Sequence, residues 1–548
     1  METSVLVVGG GPVGLSCALD LAWRGIDCVL IERGDGVVRQ SKMGLVAVRT
    51  MEFCRRWGIA EQVRRCGFPE DYPLNMVFCT SLAGYHLSTI AYPSMRDEPT
   101  PPESPERRQR CPQLWFDPIL AAAVKTHDRH AIVRNHCELE RLEQNDHRVL
   151  AHVRDLRTGT PFTVAAQYVV GCDGAGSTVR RALGIDYEGD VLSYSTGIYF
   201  RSPGLVARHD KGPAERYMLI GESGTWGNLT VIDGDAYWRL TITGPRNRVE
   251  ATDFDADAAL RRCLGDDSIP YQIDAVMPWR RSRLVASGFR SGRILLAGDA
   301  AHITAPNGGY GMNTGMADAV DVSWKLAALI NGWGGPELLA SYDAERRPVA
   351  WRAVNAAAVN FSALTPSLDF SGVTAAGAAG ESRRRELGEA FDHSTRAVWE
   401  TLGIALGYRY DASPLIVADG SAPVEDDPIR YIPSARPGHR APHAWITAGH
   451  STLDLYGRDF VLLRLGQKPP DPLPLVQAAA LRGVPLAVHT LPQPDVAALH
   501  ERSLVLVRPD GHVAWRGDHT PDNPVALIDR VRGRTPATWR LASTTADS

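Results

Sequence analysis

The chain opens with an unbroken apolar run, Ser4–Val8 in "SVLVVGGGPVGL", and turns at once into glycine. A β-branched run without polar alternation is what a strand covered on both faces of a parallel sheet requires. "LSCALDLAWRG" then predicts a helix ending at Gly25, and "DCVLIER" a second buried strand ending on Glu32. Together they predict a β-α-β unit. Buried-strand runs return much later, in "QYVVGCDGAGSTVRRALG" and in "GRILLAGDAAH". Between those two the period changes. Over 186–275 short runs such as "GIYF", "RYMLI", "NLTVI" and "AYWRLTIT" alternate apolar with polar positions, predicting an antiparallel sheet. "HAIVRNHCELERLEQND" and "RVLAHVRD" predict strands of a β-meander. Helices are predicted over 50–66, near 113–126, and over about 313–365 with a break at "NGWGGP". Beyond "SARPGHRAPH", the strands "RDFVLLRLG", "GVPLAVHTL" and "SLVLVRPDGHVAWRG" surround a short helix and precede a last helix in "DNPVALIDRVRG". A Pro/Asp-rich stretch, 411–443, connects this small α/β unit to the rest.

Length and charge narrow the picture. With 548 residues, two or three domains are expected. The formal net charge of −4, from 59 basic and 63 acidic residues, argues against a general nucleic-acid or acidic-membrane binder. No run approaches the roughly 20 apolar residues of a membrane span. The first residues lack the charged and apolar regions of a secretory signal. The nine cysteines show no CxxC or CxxxC spacing, and none follows Cys263. We therefore expect free thiols in a cytoplasmic protein, and no metal site.

The candidate chemistry lies in the glycines. Gly9, Gly11 and Gly14 stand in GxGxxG spacing between a strand and a helix, and Glu32 closes the next strand. That set predicts backbone amides cradling a pyrophosphate at a helix N-terminus, with the acid on a ribose hydroxyl. An acid there disfavours a 2′-phosphate, so FAD or NAD fits this pocket better than NADP. A second glycine segment, "RILLAGDAAHITAPNGGYGMNTGMADAV", ends another buried strand at Asp299 and runs through flexible backbone into a helix. Asp299 is expected to accept from a ribityl hydroxyl, and the Gly311, Met312 and Asn313 amides to face a flavin edge. The two glycine segments would thus hold opposite ends of one cofactor. "RTMEFCRRWG" reads equally as an ordinary amphipathic helix start, and Asp173 in "CDGAGSTVRR" as a helix cap.

Taken together, "VLVVGGGPVGL", "RTMEFCRRWG", "CPQLWFDPIL", "VVGCDGAGSTVRRALG" and "GRILLAGDAAHITAPNGGYGMNTGMADAVDVSWKLA" resemble the FAD-dependent aromatic hydroxylases, the single-component group A flavoprotein monooxygenases. "SYDAERRPVA" extends the match, and the tail resembles the thioredoxin-like C-terminal domain of their phenol hydroxylase and polyketide hydroxylase branch. The resemblance implies an α/β fold. It comprises a Rossmann-like FAD-binding domain (1–70, 106–185 and 280–370), an inserted antiparallel-sheet substrate domain (71–105 and 186–279), a helical connection (371–410), and a thioredoxin-like C-terminal domain with its linker (411–548).

The resemblance also implies roles. Gly9, Gly11, Pro12, Val13, Gly14, Glu32 and Arg33 would hold the ADP half of FAD; Lys42, Arg49, Gln113, Asp173, Asp299, Gly309, Gly311, Met312 and Asn313 would hold or flank the rest. Arg49 would sit by the flavin, and Pro306 would offer its carbonyl to a substrate hydroxyl. Lys42 stands where the family often has arginine, and Asp117 where it usually has glutamate. The implied reaction uses NADPH and O2 to hydroxylate a phenol or hydroxylated heteroaromatic, among them natural-product intermediates, through a flavin C4a-hydroperoxide. The implied partners are a small aromatic molecule and further copies of the chain. Baeyer–Villiger oxygen insertion, or a non-enzymatic binding protein on the same fold, are the alternatives. The middle-sheet candidates are Tyr217 and Arg239 for catalysis and Trp226, Tyr237 and Trp279 for substrate, with Arg216 also in view. For each aromatic the competing reading is core packing, and for each arginine a solvated face. His302 is read as structural before proton relay, and "WRRSR" (Trp279–Arg283) as a solvated strand edge before a phosphate contact. A tail without cysteine cannot do disulfide chemistry.

Overall fold

The computed structural model of the chain describes residues 1–244, 254–364 and 366–534. Positions 245–253, 365 and 535–548, which the expected middle, first and last domains include, lie outside the described residues.

The first sheet assembles strands scattered along the chain. Ile294–Leu296, Pro161–Gly171, Glu2–Val8, Cys28–Glu32 and Ala131–Asn135 lie side by side in that order, all parallel. Val5, Leu6 and Val7 are fully buried, as an uninterrupted apolar run demands. One expectation is corrected here. Ala131–Asn135 belongs to the parallel set, beside Cys28–Glu32, and the antiparallel meander is made by Cys137–Gln144, Val149–Asp155 and Pro161–Gly171. The helix Pro12–Trp23 packs against the long helix Tyr310–Ile330.

The second sheet has the order His302–Ile303, Gln272–Ala286, Tyr187–Arg201, Tyr237–Thr243, Gly224–Val231, Arg216–Gly221, Met76–Cys79, His86–Ile90. It is not wholly antiparallel: Met76–Cys79 pairs in parallel with Arg216–Gly221. Strand alternation gives it two unlike faces. Ile198, Phe200, Tyr217, Leu219, Leu229, Trp238 and Leu240 point to one side, into an apolar core closed by Leu260, Cys263 and Leu264 of the Ala256–Leu264 helix. Tyr199, Tyr237 and Arg239 point to the other side, towards the first sheet. Tyr187–Arg201 and Gln272–Ala286 pair along nearly their whole length, so one continuous strand crosses the limit expected at 279/280.

The C-terminal sheet runs Leu486–Leu491, Phe460–Leu465, Leu504–Val507, Val513–Gly517. Two helices, Leu473–Leu481 and Pro494–His500, stand where one was expected, before the last helix Pro524–Val531. This thioredoxin-like unit is not an appendage. Phe460 meets Trp324 and Trp333 edge-on at 6.1 Å, and Trp324 belongs to the long helix behind the second glycine segment.

Candidate active site

The two glycine segments touch. Gly298 has a φ of +60°, and an added Cβ there would come within 2.9 Å of Val13; one at Gly315 would come within 2.6 Å of Val13 and 3.0 Å of the Gly298 Cα. Val13, from the first loop, is therefore wedged between the turn and the helix of the second. Only glycine at 298 and 315 permits that approach. Gly14 is equally constrained, since a Cβ would overlap the Gly9 carbonyl oxygen, whereas Gly11 opens onto free space.

The helix Pro12–Trp23 begins with Gly11 at its N-cap, Pro12 as its first residue and no side-chain cap. Its first-turn N–H groups are thus left for a ligand. Glu32 braces this loop: its carboxylate accepts from the Gly10 amide at 2.6 Å and the Gly34 amide at 2.7 Å. Arg33 is exposed beside it. The helix Tyr310–Ile330 likewise starts without a side-chain cap, from Gly309 at φ +70°. Gly311, Met312 and Asn313 form its first turn. The Asn313 amide is committed locally: it accepts from Ala47 and Thr50 and donates to the Leu45 and Gly309 carbonyls, tying this turn to the start of the Val48–Arg56 helix.

Asp299 ends the strand Ile294–Leu296 in a short turn. The residue is exposed to solvent, and the protein packed around it pushes its pKa up, with His302 and Lys42 opposing. No described residue hydrogen-bonds that carboxylate. His302 is fully buried and donates or accepts at 2.7 Å with Asp318, which also takes the Gly298 amide and the Arg346 guanidinium. It is a brace for the Gly298 turn, in line with its structural reading.

Gln113 links three elements. Its side chain accepts from the Lys42 amide at 3.2 Å and donates to Asp117 at 2.9 Å, while its own amide donates to the Ser41 hydroxyl. Burial pushes the Asp117 carboxyl up to about 7, against the opposing pull of Gln113 and Lys42, and its second oxygen has no partner. The middle sheet docks on the same segment. The Tyr199 hydroxyl and the Arg239 guanidinium donate to the Ser41 carbonyl at 3.3 Å, and the Tyr237 hydroxyl donates to the Arg39 carbonyl.

Several expected positions fall elsewhere. Tyr217 is fully buried in the apolar core behind the sheet and donates to the Gly212 carbonyl, so strand parity removes it from the cleft. Trp226 lies in that same core, under the Arg262 guanidinium at 4.0 Å. Arg49, by contrast, lines one cavity with Gly308, Asn313 and Thr314 at the start of the second glycine helix, while its guanidinium pairs with buried Glu52 at 2.7 Å and donates to the Asp510 carbonyl at 2.8 Å. Asp173 accepts from the Ser177 hydroxyl and the Val179 amide, the capping arrangement read as its alternative. The Pro306 carbonyl receives the Gly309 amide within a turn. "WRRSR" is no solvated edge: Arg281 and Ser282 are 3% and 2% exposed, and Trp279 is half-buried. Sequence reasoning missed Tyr199, Ser193, Ser195 and the burial of Arg281. The alternation in "SYSTGIYF" carried the signal for the first three; nothing local marked Arg281.

These features fit a flavin dinucleotide: two uncapped helix starts, an open Gly11 and an unpartnered Asp299 converge where the glycine segments meet. A family model described as an FAD-binding domain matches residues 2–357, and one described as the C-terminal domain of aromatic-ring hydroxylases matches 434–535. The chain is 33% identical to the tetracenomycin B2 monooxygenase-dioxygenase of Streptomyces olivaceus, covering 97% of this chain and 98% of that one. It is 30% identical to the 2,4-dichlorophenol 6-monooxygenase of Delftia acidovorans, covering 94% of this chain and 95% of that one. The structure of the rebeccamycin biosynthetic enzyme RebC with reduced flavin superposes with a TM-score of 0.90 at 40% identity, covering 98% of this chain and 100% of that one. Among the described residues, no helix is long and apolar enough to cross a membrane. The chain belongs to the FAD-dependent aromatic-ring hydroxylases.

Proposed function

We propose that this protein uses NADPH and O2 to hydroxylate a phenol or hydroxylated heteroaromatic lying between the flavin and the inner face of the middle sheet. The observation that carries the reading is the contact of the two glycine segments through Val13, Gly298 and Gly315, with an uncapped helix start on each side. FAD, when bound, would supply the redox chemistry with O2 that side chains cannot.

The chain's own part is binding, orientation and exclusion of water. The Gly11–Gly14 amides would take the pyrophosphate, with Glu32 holding that loop rigid and Arg33 at its rim. Asp299, exposed at the end of its strand, would accept a ribityl hydroxyl without a competing protein donor. Gly309 to Asn313 would present backbone amides to the flavin edge, in a turn fixed by the Asn313 side chain. Tyr237, Arg239 and Trp279 would face the substrate, and Tyr199 and Arg239 would hold the Ser41–Lys42 segment across the cofactor. The relatives' names, a dichlorophenol and a tetracenomycin monooxygenase, support an aromatic substrate. The homo-oligomeric state that accompanies this reading rests on family resemblance, and the cytoplasmic location on the unpaired cysteine pattern.

The test is anaerobic reduction of the purified yellow protein by NADPH, followed at the visible flavin band, across a panel of phenols and pyridinols. Bleaching accelerated by one ligand class supports the reading. Reduction that no aromatic accelerates, or a protein that cannot be loaded with FAD, contradicts it.

A further inference from the structure

The cysteines are free thiols, and all but Cys66 are buried. Cys66 is partly exposed, in a turn between exposed Arg65 and Gly67. That turn follows the helix Ala60–Arg64 and abuts the helix Gln113–Lys125: an added Cβ at Gly67 would come within 2.5 Å of the Trp115 ring. The Cys66 thiol donates to the Arg110 carbonyl at 3.3 Å. It thereby stands beside the next residue, the fully buried Cys111, whose thiol donates a hydrogen bond to the Cys66 sulfur. That bond lowers the Cys66 pKa, with partial burial opposing and the Phe68 backbone and the Arg110 charge helping. A partly exposed sulfur that ionises readily, with a second sulfur in reach, is the arrangement oxidants select. A second pair, Cys17 and Cys172, is also hydrogen-bonded, but both members are buried, and the bond to Cys17 together with burial pushes Cys172 up.

Cys111 sits at a junction. Its amide donates to the Gly44 carbonyl at 2.8 Å, and Gln113, two residues on, accepts from the Lys42 amide. The preceding residue, Arg110, reaches the middle sheet, pairing with Glu215 at 2.9 Å and donating to the Val231 carbonyl at 2.8 Å. A covalent pull on Cys111 therefore acts on the Ser41–Gly44 segment, which Gln113 and the middle sheet hold beside the cofactor cleft.

We propose that Cys66 and Cys111 are a peroxide-responsive thiol pair, and that closing them into a disulfide loosens the Ser41–Gly44 segment and with it the grip on FAD. This goes beyond the hydroxylase reading and needs only that FAD binds at the glycine segments. The oxidant is hydrogen peroxide, the two-electron reduction product of O2. The Cys66 thiolate attacks one peroxide oxygen, the O–O bond breaks, Cys66 becomes a sulfenic acid, and the departing hydroxide takes up the thiol's proton as water. The Cys111 sulfur then attacks the Cys66 sulfur, the S–O bond breaks, and the Cys111 proton leaves with that oxygen as a second water. Both thiols are oxidised and one peroxide is reduced to water. A small thiol reductant reverses the bridge by exchange. Bridges of this transient kind are the ones reducing compartments tolerate.

The test treats the FAD-loaded protein with hydrogen peroxide, blocks the remaining thiols with N-ethylmaleimide, digests without reductant and maps the cysteines by mass spectrometry. We expect a peptide pair joined through Cys66 and Cys111 and released by dithiothreitol, with Cys17 and Cys172 still alkylated as thiols. Cys111→Ser should stop at a sulfenic acid on Cys66 that dimedone captures, and Cys66→Ser should give neither product. The oxidised wild type should bind FAD about fivefold or more weakly, about the loss of one hydrogen bond, and dithiothreitol should restore the affinity. The visible flavin spectrum and a thermal melt report whether each variant folds. Three results would each overturn the proposal: Cys66 and Cys111 left free at a peroxide dose that converts methionines to sulfoxides, a Cys17–Cys172 bridge forming as readily, or an FAD affinity that the Cys66–Cys111 bridge does not change.

Discussion

At the scale of single residues, the same motif contains glycines of unlike kinds. A Cβ at Gly14 would overlap backbone, while one at Gly11 meets no protein atom. Gly14→Ala should therefore unfold or grossly destabilise the chain. Gly11→Ala should leave the melting temperature of the FAD-free protein within about 2 °C of wild type. It should still weaken FAD binding by about tenfold or more, because its methyl occupies the phosphate approach. Thermal melts beside FAD titration separate the two effects. Asp117 makes a second residue-level prediction. Burial raises its carboxyl from 3.8 to about 7, so the folded chain holds that proton more tightly than the unfolded one. Its contribution is full below the ordinary carboxylate pKa, declines as pH rises towards 7, and is gone above it. Asp117→Asn removes that decline, so the variant should gain on wild type as pH rises from 4 to 8, by at most about 4 kcal/mol. Denaturant titrations at several pH values measure it, and a constant gap would contradict it. What the sequence told at this scale was residue type and spacing. The GxGxxG spacing was legible because backbone approach, which glycine permits, is what the motif encodes. Tyr217 and Trp226 were misassigned because strand parity, which decides the face of a side chain, depends on bulges such as the one at Leu219/Ile220.

At the scale of elements, the close contact of the two glycine segments is the device that brings distant chain segments to one cofactor. Gly315→Ala should push the helix Tyr310–Ile330 away from Val13 and the Gly298 turn, at a cost of about 1–3 kcal/mol. Adding Val13→Ala should recover part of that loss, since Val13 supplies the nearest clash but the Gly298 backbone remains at 3.0 Å. A double-mutant cycle on melting temperature reads the coupling; strictly additive effects would contradict the packing account. The elements themselves were legible wherever period was unambiguous: the buried parallel strands, the long helices and the alternating middle sheet. Pairing was not. Ala131–Asn135 joined the parallel sheet because strand partners are fixed by tertiary contacts that periodicity does not encode.

At the scale of the whole molecule, the C-terminal unit is welded to the cofactor domain by buried charge. Arg508 pairs with Glu345 at 2.6 Å, Asp510 at 2.7 Å and Asp321 at 3.2 Å; Lys325 bridges Asp321 and Glu345; and Arg440 joins the Arg49–Glu52 pair. Removing one partner strands the others without water. Arg508→Met should cost about 3–5 kcal/mol, read as a fall in denaturation midpoint. A chain ending before residue 434 should not yield soluble, FAD-loaded protein. The cysteine-free thioredoxin-like unit is thus tied into the core of the molecule by these buried pairs. It also engages Arg49 through the Asp510 carbonyl, which no local motif could announce.

The most direct test of the account is turnover under heavy-isotope O2 with NADPH and an aromatic that accelerates flavin bleaching, followed by mass spectrometry of the product. The account predicts a hydroxylated ring whose new oxygen carries the heavy isotope. A product oxygen drawn from water, or NADPH consumed with the aromatic recovered unchanged across the panel of phenols and pyridinols, would contradict it.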